Sequence, residues 1–143
     1  MKDLHNNIEV ASLLDPIAVS TTQTITDVDL AGYDSAELII SVGADGGGVG
    51  LDSSNKIVFV LSHSDNGTDY TAVEDADMLG VSDITSGTIL TVDATDEDST
   101  VYHFGYVGGQ RYLQLVGTVT GTISIPIGIN VVKGHGQDKP PIS

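Results

Sequence analysis

The chain of 143 residues contains no cysteine, no tryptophan and a single arginine, Arg111. Without thiols it can build neither a disulfide framework, a thiolate metal site nor a cysteine nucleophile. Its only aromatics are five tyrosines and two phenylalanines, which argues against a sugar-cleaving cleft. Positive charge is as scarce: five Lys and Arg stand against twenty Asp and Glu, for a formal charge of −15. Such a field repels phosphate backbones and anionic bilayers, so neither nucleic acid nor membrane is an expected partner. No apolar run approaches the ~20 residues of a membrane span, and "MKDLHNNIEV" lacks the apolar stretch of a signal peptide. The expected product is soluble and cytosolic, unless something larger carries it out of the cell. Helical periodicity is almost missing, because Thr, Val, Ile, Ser and Gly outnumber the good helix formers. His5, His63, His103 and His135 show no zinc-ligand spacing, and neither G-x-S-x-G nor a P-loop occurs. The reading is a non-enzymatic chain without a cofactor.

What the sequence does contain is alternation. Apolar residues make up 40%, enough for folding rather than disorder, and they recur at every second position in short runs. Strands are expected at about 7–11, 17–24, 25–30, 36–42, 56–63, 69–73, 88–92, 100–107, 111–119 and 122–132, with turn-rich segments between. This predicts an all-β fold, an antiparallel β-sandwich. A jelly-roll order is preferred to an immunoglobulin-like one, whose Cys and Trp marks are lacking. The expected organisation is an extended N-terminal arm over 1–12, one sandwich domain over 13–133 and a C-terminal tail over 134–143. "GADGGGVG" reads as a flexible loop, "EDADMLGVSDIT" (74–85) as a short helix or irregular excursion, and Lys56 and Pro126 as residues that blunt sheet edges.

"TVYHFGYVGGQRYLQL" (100–115) is the most aromatic stretch and holds the lone arginine. Gly108-Gly109 between two β-rich runs signals a two-residue hairpin turn with both glycines at φ > 0. The register would set Tyr106 against Arg111, Phe104 against Leu113, Tyr102 against Leu115 and His103 against Gln114, with the guanidinium across a tyrosine ring. The segment is thus either a structural hairpin or an aromatic ligand platform. "VLSHSDNGTDYTAV" (60–73) reads as a second hairpin turning at Asp65-Asn66-Gly67. In "VDATDEDST", Asp93, Asp96 and Asp98 are a weak calcium candidate set that does not match EF-hand spacing.

"DLHNNIEVASLLDPIAVS", "VDLAGYDSAELIISVG", "LSHSDNGTDYTAVEDADMLG", "TVYHFGYVGGQRYLQLVGTVTG" and "PIGINVVKGHG" together resemble a family of small acidic proteins encoded among the head genes of tailed bacteriophages and prophages. The resemblance covers nearly the whole chain in pattern and order and includes no catalytic motif. It implies a capsid decoration, or cement, protein that binds the outside of an HK97-like head. Its partner would then be the major capsid protein, its place the capsid exterior, and its state a homo-oligomer, dimer or trimer. Leu4, Ile8, Tyr106, Arg111 and Tyr112 are the candidate contacts. Two alternatives stay open: a head–tail joining or tail component, and a carbohydrate-binding head-fibre module using Tyr70, Tyr102, Tyr106, Tyr112 and Arg111.

Overall fold

The computed structural model describes residues 2–46 and 50–136. Ten strands follow in order: β1 (Ile8–Val19), β2 (Gln23–Asp29), β3 (Tyr33–Val42), β4 (Lys56–Ser64), β5 (Thr71–Ala72), β6 (Met78–Leu79), β7 (Thr88–Val92), β8 (Thr100–Tyr106), β9 (Tyr112–Thr120) and β10 (Ile125–Gly136). They form two antiparallel sheets. Sheet A runs β1-β10-β3-β8-β6; sheet B runs β2-β9-β4-β5, with β7 also on β4. The long strands alternate between sheets along the chain, which is the interleaving of a jelly roll and agrees with the expected order.

Side-chain alternation decides which face each strand buries. On β3, Ala36, Leu38, Ile40 and Val42 point inward; β4 adds Ile57, Phe59 and Leu61, and β10 adds Ile125, Ile127, Ile129 and Val131. Each of these Val, Leu, Ile and Phe side chains contributes about 1.5–3 kcal/mol on leaving water. Toward one end, the inward positions of sheet A become polar. Lys133 Nζ lies 2.9 Å from Glu9, and Tyr33 Oη donates to the same carboxylate at 2.6 Å. These hydrogen bonds hold the Glu9 carboxyl below its ordinary range, Tyr33 contributing most and Lys133 next.

Four expectations are corrected. The two aromatic runs of 100–115 do not pair: β8 hydrogen-bonds to β3 and β6, and β9 to β2 and β4, so the residues between them cross from one sheet to the other. Only Gly109 has positive φ, at 75°. His103 accordingly sits opposite Ile39, and its Nδ1 lies 2.6 Å from Glu37 Oε1. The arm over 1–12 is sheet from Ile8 onward, because Ile8–Ser12 pair with Gly134–Asn130. β10 likewise runs past the expected boundary to Gly136, and residues 137–143 of the expected tail lie outside the described residues, as do 47–49 of the glycine loop. Lys56 and Pro126 are not on edge strands. The edge strands β1 and β2 are instead interrupted by register shifts, at Ser12–Ile17 and at Ile25–Val28, where Asp27 takes φ 57°. Such bulges disfavour strand addition, and Pro16 on β1 lacks an N–H to offer.

The hairpin over 60–73 forms as expected, with Ser62 and His63 opposite Ala72 and Thr71. Ser64 Oγ accepts from Asn66 and Gly67 N–H, Asn66 Oδ1 accepts from Thr68 and Asp69 N–H, and Gly67 takes φ 75°. Within 74–85, the short 3₁₀ turn Asp75–Asp77 is closed by reciprocal bonds between Glu74 and Asp77 and leads into β6.

Candidate functional site

Two surfaces carry the residues singled out in the sequence. The first is a corner where the links after β2, β4 and β8 converge. Arg111 Nε and Nη2 each donate to Asp29 at 2.9 Å, a fork-to-fork pair. The guanidinium carbon stands 4.9 Å from the centre of the Tyr112 ring, which also lies against Gly67. Tyr70 Oη donates to Asp27 at 3.1 Å beside them. The arginine therefore does cover a tyrosine, but its neighbour Tyr112 rather than Tyr106. The paired guanidinium, with help from the Ala31 N–H, holds the Asp29 carboxyl down at about 2.

The pair is half exposed, with side-chain accessibilities of 51% and 44%, so solvent screening keeps its net stabilisation small. Because the folded-state value of Asp29 is depressed, that contribution is present above the unfolded-state value near 4 and is lost as pH falls through about 2. Arg111→Ala is expected to melt slightly lower than the parent at pH 7, with most of the difference lost at pH 2. Paired thermal melts at the two pH values check this.

Tyr106 leaves this surface altogether. It is 3% exposed, on the inward face of β8, and so cannot be a contact residue in this fold. Its hydroxyl lies 2.8 Å from His63 Nδ1 across the sandwich and accepts from the Gln110 N–H at 3.1 Å. The two rings meet edge to face. Burial raises the phenol above its ordinary value. Tyr102, on the same strand, donates to the Glu97 carbonyl at 2.7 Å. The expected five-residue aromatic platform is thereby divided: Tyr70, Tyr112 and Arg111 share the corner, while Tyr102 and Tyr106 belong to sheet A.

The second surface is the outer face of sheet A. Pairing aligns Val10, Val132, Glu37, Gly105 and Leu79 in one row across all five strands. Ser12, Asn130, Ile39 and His103 form the next row; Ile8, Gly134 and Ser35 flank it on one side, Gly128, Ser41 and Val101 on the other. Gly105 and Gly134 leave the floor low. The result is a groove of about 900 Å³ between the N-terminal segment at Leu4 and a rim of Leu79 and Val107. Leu4 and Ile8 therefore lie in this groove, remote in sequence from the residues opposite them. Leu79, Val101 and Val107 were not anticipated; strict alternation against Tyr102 and Phe104 would have turned Val101 outward.

The calcium candidates do not converge. Among the described residues no group of three or more acidic or histidine side chains is placed to hold a metal ion. The loop's carboxylates cap backbone instead: Glu97 accepts from Asp93 and Ala94 N–H, and Asp98 accepts from Asp45 N–H.

No protein-family model matches the chain, and no curated protein matches it either. Among solved structures it is similar to a pilus protein of Bacillus endospore appendages, at 13% identity and TM-score 0.46, over 96% of this chain and 98% of that one. A chain of the cowpea mosaic virus top component aligns at 14% identity and TM-score 0.42, over 100% and 93%. The Clostridium thermocellum xylanase 10B CBM22-1–GH10 structure aligns at 11% and 0.43, over 94% of this chain and 27% of that one. The chain is an all-β sandwich of interleaved antiparallel sheets.

Proposed function

We propose that the protein is a non-enzymatic structural component of a virion, a decoration protein that binds the outside of a tailed-phage head through the major capsid protein and strengthens it. The reading comes from the sequence resemblance. One structural observation supports it most: the distribution of charge. No Asp or Glu lies on any strand from β4 to β10, so the acids gather in loops and on β1, β2 and β3. The sheets present largely uncharged faces within a strongly negative molecule. That division suits a protein that packs closely by its faces at high copy number while its acidic loops keep it soluble and off the genome. The Arg111–Tyr112 corner is the surface offered to the capsid subunit, and the free protein is a homo-oligomer.

The test is the composition of purified particles. A stained gel or quantitative mass spectrometry is expected to show the protein at a stoichiometry comparable with the major capsid protein. A handful of copies per particle would identify a head–tail joining or tail component instead.

A further inference from the structure

Asn66 is the only asparagine of the chain that is followed by glycine. Glycine leaves its amide nitrogen unhindered and free to rotate, so in an open chain this is the asparagine most prone to cyclise onto the next residue. The folded hairpin tip holds the pair differently. Buried Ser64 accepts through Oγ from the Gly67 N–H at 3.0 Å and the Asn66 N–H at 3.2 Å, and donates to Asn66 Oδ1 at 2.9 Å. Both lone pairs and the one hydrogen of the hydroxyl are thereby used. The Asn66 amide is held from downstream as well: Oδ1 accepts from the Thr68 and Asp69 N–H groups at 2.8 and 2.9 Å, and Nδ2 donates to Asp69 Oδ2 at 3.0 Å.

We propose that Asn66 is a deamidation site held closed by its own turn, with Ser64 the residue that holds it; this goes beyond the function proposed above and does not rest on it. In the reaction the Gly67 nitrogen gives its proton to water and attacks Asn66 Cγ. The new N–Cγ bond closes a succinimide ring while the Cγ–Nδ2 bond breaks, and Nδ2 takes a proton from water and leaves as ammonia. Water then adds at either ring carbonyl and reopens the ring to aspartate or isoaspartate. The balance is ammonia lost and water gained. In the folded turn the block lies at the nucleophile, whose hydrogen is committed to Ser64 Oγ, and at the amide plane, which bonds at both ends keep from turning toward it. The three donors to Oδ1 act the other way, since they would favour negative charge there. Ser64 belongs to both groups, so the sign of its effect decides which one governs.

The chemistry is slow beside local opening, so its rate follows the population of the opened tip. β5 pairs with β4 at Ser62–Ala72 and His63–Thr71, and residues 65–70 depend on the side-chain bonds above rather than on a ladder. Conversion runs one way. A carboxylate at residue 66 would face the Asp69 carboxylate where an amide now donates, and isoaspartate adds a carbon to the backbone of the turn, so the converted tip does not close as before. Because Gly67 lies against the Tyr112 ring, the change reaches the corner beside Arg111.

The test incubates the full chain at mildly alkaline pH, folded in buffer and unfolded in urea, and follows conversion at residue 66 by peptide mass mapping and isoaspartate content. The unfolded chain should convert about tenfold or more faster than the folded one. Folded Ser64→Ala should convert about tenfold faster than the folded parent, since two N–H groups lose their acceptor, and within about twofold of it in urea. Ile129→Val, in the core on β10 of the other sheet, should leave the folded rate within about twofold. Circular dichroism of each variant confirms that the sheet content is kept. An unfolded chain that does not convert, or a folded parent that converts as fast as the unfolded chain, would overturn the proposal. So would Ser64→Ala at the parent's rate or slower, which would make the donors to Oδ1 the governing group. Ile129→Val accelerating as much as Ser64→Ala would also overturn it, assigning the protection to global stability rather than to the turn.

Discussion

Gly108→Val is expected to lower the melting temperature by about 6–12 °C, corresponding to about 3 kcal/mol of overpacking in a chain of this size. The cause is contact rather than backbone strain. A Cβ at residue 108 would stand 2.7 Å from both the Tyr106 ring and its hydroxyl, and 2.8 Å from Asp77 Oδ1. Neither neighbour can give way cheaply: Tyr106 is locked against His63, and the Asp77 carboxylate accepts from the Glu74 N–H at 2.9 Å. Gly109 makes the contrast. Its φ of 75° taxes any side chain, yet nothing lies within 4 Å of its Cβ position, so Gly109→Ala should cost only about 1–2 kcal/mol. Melts of the two variants side by side distinguish crowding from dihedral strain, and near-equal losses would refute the assignment.

Tyr106→Ala is expected to cost about 3–5 kcal/mol, since it empties a buried aromatic site between the sheets. It also removes the oxygen that His63 Nδ1 and the Gln110 N–H share. Tyr106→Phe keeps the ring and removes only that oxygen, so its cost should be about 1–3 kcal/mol, the penalty for stranding buried polar groups. If the phenylalanine variant were as stable as the parent, the hydroxyl would be idle and the two sheets would be joined here by packing alone. Denaturant unfolding, with equal slopes for both variants, provides the comparison.

Much of the fold was legible because alternation in the sequence reports directly on burial. β4, β8 and β9 coincide with the expected strands to within one residue at each end, and their inward residues are those the two-residue period selects. The partnering of β8 and β9 was not legible, for a definite reason. Phe104, Tyr106, Leu113 and Leu115 face the core whether the two strands lie side by side or on opposite walls of the sandwich, so alternation cannot tell these arrangements apart. The Gly-Gly signal then favoured the local answer. Arg111 was visible as the sole arginine, whereas Asp29, its partner, lies 82 positions away and carries no local mark. The same holds for the groove: Leu4 and Leu79 meet across it only because β1 and β6 end up at opposite edges of one sheet.

The pairing of β1 with β10 imposes an order on the protein's assembly. Ile8 must wait for Gly134, and β10 in turn is the only strand that joins β1 to β3. At a synthesis rate of about 5–20 residues per second, the first strand spends roughly 6–25 s on the ribosome before its partner exists. Sheet A cannot close until β10 has been made, and folding dominated by such distant pairings is expected on the millisecond-to-second scale thereafter. Nascent chains pass through that interval with apolar strands unpaired. The abundant loop carboxylates, which keep such chains apart, protect the protein most before it has folded.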